Sequence, residues 1–390
     1  MERNPKLLQL KFKEIFGNFN RLVFTRAPGR VNLIGEHTDY NEGFVFPVAL
    51  DLEIVMASRP REDRMVSLYS LDYSQEVSFY LDNIKYESQV RWSNYPRGVA
   101  YFLEKAGHHL RGMEAVLQGN IPVGAGLSSS AALEMVTAIT FQIHSRFEIS
   151  PLEMIKLCQK AENEFVGVNC GIMDQFISRL GRKNHALLID CRQLEHRPVP
   201  VSSEVVKIVI CDTGVKRGLV DSEYNTRRRE CEEGVKIFQN YLPGVKALRD
   251  VTINDFYRYE NRLPSRVARR CRHVISENER VLTSVDALEK GDLETFGELL
   301  NQSHRSLRDD YEVSCRELDL MVDIAQQVEG VLGSRMTGAG FGGCTVNLVR
   351  PKILNDFERA IRENYFSQTG IHPRVWVCSV EEGAGEIKVE

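Results

Sequence analysis

The sequence predicts an α+β protein of two domains, and three observations carry that expectation. Its 390 residues exceed one domain at about 150 residues each. Strand-like segments crowd into the first 120 residues, close enough to pair as one antiparallel or mixed sheet. The stretch from Asp221 to Gln327 then reads as mainly helical, ahead of a strand–helix–strand tail. A composition of 43% hydrophobic and 27% charged residues excludes disorder as the dominant state.

The elements follow in order. Arg21–Arg26, Glu53–Ser58, Met65–Ser70 and Glu76–Tyr80 are rich in β-branched and aromatic residues with rough period-two alternation, and read as strands. Asn94–Ala106 reads as a helix, Met113–Gln118 as a strand and Gly119–Leu127 as a glycine-rich turn. Ser129–His144 is apolar almost all round, the pattern of a buried helix. Pro151–Phe165 has Ser150 placed as N-cap and proline at the first helical position. Strands follow at Ala186–Cys191 and Val205–Asp212, the latter marking a crossover between domains 1–205 and 206–390. In the tail, Gly343–Val349, Lys352–Asn364 and Arg374–Val380 close a βαβ-like unit. No low-complexity tract or repeat interrupts this order.

Several function classes drop out. With 50 Lys+Arg against 54 Asp+Glu the net charge is −4, without the basic excess of nucleic-acid-binding domains. Nine cysteines, none spaced C-x-x-C, fit neither a zinc ribbon nor a disulfide framework and suit a reducing cytosol. The N-terminus carries Glu2 in a helical alternation rather than the apolar core of a signal peptide. No uninterrupted apolar run reaches the ~18 residues of a membrane span. The expectation is a soluble cytoplasmic enzyme.

Four segments carry chemistry. Gly119-Asn-Ile-Pro-Val-Gly-Ala-Gly-Leu-Ser-Ser-Ser130 lies between a strand and a buried helix. Glycines there allow close backbone approach and positive φ, and a helix N-terminus offers unpaired N–H groups, so the loop suits phosphate. A tight turn with a serine cap is the alternative, and no Gly-Lys-Ser/Thr makes it a Walker loop. Glu162 shares a helix face with Ile155, Cys158 and Phe165. A buried carboxylate needs a partner, either a metal ion near a phosphate or a Lys or Arg from elsewhere. Asp174, in Cys170-Gly-Ile-Met-Asp-Gln-Phe-Ile-Ser178, suits a general base on a hydroxyl or a helix N-cap. Arg26-Ala-Pro-Gly-Arg-Val-Asn-Leu-Ile-Gly-Glu-His-Thr-Asp-Tyr40 gathers Arg30, Glu36, His37 and Asp39. Such a cluster fits a polyhydroxylated ligand or a polar turn of solvated charges.

Other segments read more plainly. Gly338–Gly343 is either a phosphate-adjacent turn or a bend before a strand. The basic runs Thr226–Glu230 and Arg266–Arg272 read as solvated faces, and Ser303–Tyr311 as a surface or interface helix. His108 and His109 receive no role.

Taken together these segments resemble the galactokinase group of the GHMP (galactose/homoserine/mevalonate/phosphomevalonate) kinase superfamily. Gly29–Tyr40 is similar to the galactokinase signature, Pro122–Ala131 to the superfamily's ATP loop and Ser334–Cys344 to its C-terminal glycine motif. Glu162–Ser178 and Ser303–Cys315 extend the similarity over most of the chain. The resemblance implies an N-terminal domain like ribosomal protein S5 domain 2, a ferredoxin-like C-terminal domain, and an active site between them.

It also implies transfer of the γ-phosphoryl of ATP to the anomeric hydroxyl of α-D-galactose, the first step of galactose catabolism. Asp174 would be the base, with Arg30 holding it ionised; an arginine so placed also weakens it as a proton acceptor. Glu36, His37, Thr38, Asp39 and Tyr224 would hold the sugar. Gly124, Ala125, Gly126, Leu127, Ser128, Ser129 and Ser130 would hold the phosphates, with Ser130 and Glu162 on Mg2+. No nucleic acid or membrane partner is implied, and the chain would be a monomer or weak homodimer. Two alternatives stand beside this. A kinase for N-acetylgalactosamine or L-arabinose is one, though galactosamine kinases are longer chains. A non-catalytic galactose sensor is the other, but such sensors lack two residues where Leu127–Ala132 is uninterrupted.

Overall fold

The computed structural model describes residues 5–122, 124–215 and 220–388; Met1–Asn4, with Glu2, and Val123 of the first glycine loop lie outside them. The early strands pair into one six-stranded sheet, in the order 385–387, 23–32, 47–60, 113–119, 65–70, 75–80. It is mixed: Val66–Ser70 runs parallel to Met113–Leu117 while the other neighbours are antiparallel. A four-stranded antiparallel sheet follows in the order 331–337, 344–349, 207–212, 374–378. Cys344–Val349 and Arg374–Cys378 flank Lys207–Asp212 and are joined by helix Leu354–Thr369, which makes the tail a split βαβ. A third sheet of Phe44–Val45, His185–Asp190 and Glu195–Pro200 lies apart.

Helix Ser129–Ser145 is buried on most sides, as its sequence predicts, and packs across the first sheet. One apolar core joins the two larger sheets, holding Val31, Phe46 and Phe141 together with Ile208, Phe296 and Val346. A second core binds the helices after residue 220 through Phe238, Phe256, Val274 and Leu307. Among the described residues no helix is long and apolar enough to cross a membrane.

Three expectations are corrected. The first strand does not stop at Arg26 but runs from Val23 to Asn32, absorbing Pro28 and Gly29 through a register shift between Pro28 and Arg30. Bulges of this kind re-aim a side chain. The helix from Pro151 is regular only to Lys160 and then widens into a π turn, Ala161–Val166. The strands Glu195–Pro200, Val331–Thr337 and Gly385–Ile387 were not expected: two prolines mask the first, and the last spans three residues.

The two basic runs are not solvated faces throughout. Arg227, Glu230 and Arg270 are all buried, and the Arg270 guanidinium donates to Glu230 (2.7 Å) and to the Asp310 carbonyl (2.6 Å). Arg227 donates to the carbonyls of Tyr311 and Glu312, both at 2.8 Å. Segment Ser303–Tyr311 is likewise half core, with Ser303, His304, Leu307 and Tyr311 buried. Charge alone read as solvent-facing because the partners lie 40 or more positions apart. Arg270→Met is expected to destabilise the chain by about 1–3 kcal/mol, since it leaves the Asp310 carbonyl without its donor while Glu230 keeps Arg266 at 2.9 Å. The urea midpoint checks this, and an unchanged midpoint refutes it.

Candidate active site

The re-aimed strand brings Arg30 to the centre of a cleft. Its Nε and Nη2 donate to the two carboxylate oxygens of Asp174 at 2.7 and 2.8 Å, a bidentate pair. Nη1 donates to the Gly126 carbonyl at 2.6 Å, and the Arg30 amide to the Leu127 carbonyl at 3.1 Å. The loop can approach this closely because residue 29 is glycine: a Cβ there would sit 2.6 Å from the Leu127 oxygen. Asp174 is the second residue of helix Met173–Leu180, whose N-cap is Ile172, so the capping alternative falls away. The Ser128 hydroxyl does not cap its helix either; it donates to Asp174. With 23% of its side chain exposed, Asp174 still faces the cleft.

Gly124 and Gly126 take positive φ, as does Ser128 at 57°. Helix Ser129–Ser145 begins immediately afterwards, so Ser129 and Ser130 stand in its first turn at the cleft wall. The N–H groups of a first turn have no intrahelical partner and favour an anion.

Glu162 lies across from them on the π turn. Its partners are the Gln175 amide at 2.6 Å, the Cys170 thiol at 3.3 Å and the Ser130 hydroxyl. Among the described residues it makes no ion pair with Lys or Arg, so the structural alternative for this carboxylate is not met. Burial first, then the charge of Asp174, push its carboxyl up to about 7. A second buried carboxyl, Glu134, accepts from the same Gln175 amide at 2.9 Å. A divalent cation fits this place: a hydroxyl and a carboxylate with no Lys or Arg partner among the described residues, beside a helix N-terminus, are a sparse oxygen set that further oxygen ligands would complete.

On the other side lies the acceptor cluster. Glu36 is 3% exposed and largely engaged. Its Oε1 accepts from Gly338 N (2.7 Å) and Thr337 Oγ1 (2.9 Å) and forms an ion pair with Arg335 Nη2 at 3.3 Å, and Oε2 accepts from Asn32 (3.2 Å). Glu36 thereby ties the first motif to the C-terminal glycine motif. His37 is buried with its Nδ1 on Tyr40 OH at 2.8 Å and Nε2 without a partner. Burial, then the neighbouring His273, push its pKa well below the usual value and keep the ring neutral. Asp39 packs against Gly171, where a Cβ would fall 1.7 Å from its Oδ2. Burial and then Asp174 push the Asp39 carboxyl up to about 7.

One cleft is thus lined by Arg30, Glu36, His37, Asp39, Gly124, Gly126, Leu127, Ser128, Ser129, Ser130, Glu162, Asp174 and Tyr224. Two expected residues do not reach the wall. Thr38 is fully buried and its hydroxyl serves the carbonyls of Gly35 and Phe44. Ala125 turns into the core. The solvated-turn reading of residues 26–40 fails because Glu36, His37 and Thr38 are buried. Sequence reasoning missed Tyr40, Cys170, Asn225 and Ala339 on the wall; of these, Ala339 sits in a glycine run that was already conspicuous.

Because the Asp39 carboxyl is raised from 3.8 to about 7, the folded chain holds a proton there that the unfolded chain releases. Its contribution to stability therefore falls as pH rises between those values. Asp39→Asn is expected to gain thermal stability over the unliganded wild type between pH 5 and pH 8. Parallel melting-temperature profiles would contradict it.

Three family models match the chain: the galactokinase galactose-binding signature over residues 10–60, the GHMP kinase N-terminal domain over 94–182 and the GHMP kinase C-terminal domain over 284–367. Galactokinase from Roseiflexus sp. (strain RS-1) is 48% identical over 380 residues, covering 97% of this chain and 96% of its own. Galactokinase from Fusobacterium nucleatum is 44% identical over 381 residues, covering 97% and 98%. The crystal structure of Lactococcus lactis galactokinase complexed with galactose superposes with a TM-score of 0.95 at 38% identity, covering 98% of this chain and 99% of that one. Methanococcus jannaschii mevalonate kinase, at 18% identity and a TM-score of 0.64, shares the fold. The chain belongs to the galactokinase family and has the α+β GHMP kinase fold.

Proposed function

We propose that the cleft transfers the γ-phosphoryl group of ATP to the anomeric hydroxyl of α-D-galactose, giving α-D-galactose 1-phosphate and ADP. As a member of its family the chain is an ATP-dependent sugar kinase. The observation that carries the residue assignments is the bidentate Arg30–Asp174 pair, set between the loop 124–130 and the acceptor cluster 36–39. In this reading residues 1–205 and 206–390 are the two lobes that meet at the cleft.

Phosphoryl transfer demands positioning and charge neutralisation more than covalent help. Glu36, His37, Asp39 and Tyr224 orient the sugar so that its anomeric oxygen faces Asp174. That oxygen forms the new bond to phosphorus as the bond to the β-phosphate oxygen breaks, and its proton passes to Asp174. Both Asp174 oxygens accept from Arg30, and one also from Ser128, which fixes the carboxylate in one orientation toward the cleft. Arg30 offsets charge on the transferring group, and the first-turn N–H groups after Ser128 hold the phosphates. Ser130 and Glu162 would hold Mg2+, which when bound would supply charge neutralisation for the phosphates. The reading also places the enzyme in the cytoplasm, as a monomer or weak homodimer, in keeping with nine free cysteines.

Asp174→Ala is expected to abolish turnover while ATP still binds, measured by coupled ADP release and by nucleotide titration. Retention of more than about a tenth of wild-type kcat would sink the assignment, since a positioned proton acceptor contributes at least about a hundred-fold. Running the same assay with galactose, N-acetylgalactosamine, L-arabinose and glucose should show galactose fastest.

A further inference from the structure

A chain of hydrogen bonds leaves the sugar side of the cleft and enters the helical core. His37 Nδ1 lies 2.8 Å from Tyr40 OH, Tyr40 OH lies 2.8 Å from Tyr311 OH, and Tyr311 OH lies 3.3 Å from the Cys231 thiol. Tyr311 and Cys231 are both fully buried. Neither lines the cleft. The His37 and Tyr311 rings also pack directly, with centroids 4.7 Å apart. At the head of the chain, His37 Nε2 is buried and without a partner, although its ring borders the cleft.

We propose that Tyr311 and Cys231 are positioning residues that fix His37 as a hydrogen-bond donor to one galactose hydroxyl, and so help set sugar specificity. This rests on the galactose reading above. The direction of the chain follows from the acidity of its members. A phenol is a far stronger donor than a neutral imidazole N–H, and an imidazole nitrogen is a far better acceptor than a phenol oxygen. Tyr40 therefore donates to Nδ1, which leaves Nε2 carrying the proton.

Having spent its proton on His37, Tyr40 must accept from Tyr311, and Tyr311 in turn accepts from the Cys231 thiol. The thiol stays protonated, its pKa pushed up to about 12 by burial first and foremost. The Asn41 side chain bonds the same sulfur, and its amide holds the His37 carbonyl at 2.8 Å. Histidine backbone and ring are thus fixed by one network. An Nε2–H donor also suits its surroundings. Glu36, Asp39 and Asp174 line the same cleft as acceptors, and a sugar hydroxyl that gives its proton to one of them needs a donor for its own oxygen. An epimer or deoxy-sugar lacking that hydroxyl leaves Nε2–H buried and unpaired.

The experiment is a cycle between protein and substrate. kcat/KM is measured for galactose and for its 2-, 3-, 4- and 6-deoxy analogues with wild type, His37→Ala and Tyr311→Phe. One deoxygenation should cost wild type about ten-fold, as loss of a buried hydrogen bond does, and both variants should lose their response to that same one. KM for ATP should stay unchanged. Cys231→Ser, which keeps a donor, should behave as wild type, and Cys231→Ala should move toward Tyr311→Phe. In protein labelled with 15N-histidine, His37 should give the Nε2–H tautomer in wild type and a mixture in Tyr311→Phe. A uniform loss across all five sugars, an unchanged response in Tyr311→Phe, or an Nδ1–H tautomer in wild type would overturn the proposal. A wild type inert toward galactose would instead overturn the functional reading, and the tautomer would still be measurable.

Discussion

A single guanidinium holds together three parts of the chain that are far apart in sequence. Arg30 belongs to the first strand, bonds the carbonyl of Gly126 in the glycine loop, and grips Asp174 on a helix 144 positions away. Remove its bidentate geometry and the loop, the Asp174 helix and the strand lose their common reference. The constraint reaches back into the backbone. The register shift at Pro28–Arg30 aims the side chain, and glycine at 29 lets the loop lie against the strand. An ion pair at the water-facing surface would contribute little; this one, 7% exposed on the arginine side, is set where its geometry is enforced.

Around it the protein keeps several carboxyl groups close together with few cations. Glu36 is the exception, paired with Arg335 and bonded by the start of the C-terminal glycine run, and it ties the first motif to that run. Asp39, Glu162 and Glu134 are left raised in pKa. That is a cost to the folded chain. Under the proposed function, hydroxyl donors from the sugar and a cation beside Glu162 would offset it. Perturbed groups gathered in one cleft are the pattern expected of a site that binds by completing what the fold leaves incomplete.

Much of this was legible in the sequence because the signals are local. The buried helix after the glycine loop, Ser150 as N-cap and proline at the next position all appear as read. The segments carrying Arg30, Asp174 and Glu162 stand out because a charge among apolar or glycine neighbours is anomalous. What was illegible depends on distant partners. Arg227 and Arg270 look solvent-bound until Glu230 and the carbonyls of 310–312 are seen beside them. Thr38 sits inside the most informative motif, yet its hydroxyl supports a turn. The π turn at 161–166 and the three-residue strand at 385–387 leave no periodic trace.

That last strand has a consequence for how the enzyme is made. Residues 385–387 pair with Phe24–Arg26, and just before them Gly383 and Ala384 donate to the carbonyls of Gly181 and Ser178, at the end of the helix that carries Asp174. Ser178 in turn donates to the Pro28 carbonyl, next to the bulge that aims Arg30. The edge strand of the first sheet and the latch on the helix that carries Asp174 thus both come from the far end of the described chain, while the elements they close lie within residues 23–181. On the ribosome, where segments emerge in order and long-range pairings close slowly, the first domain stays an unlatched, open-edged intermediate until residue 387 has been translated.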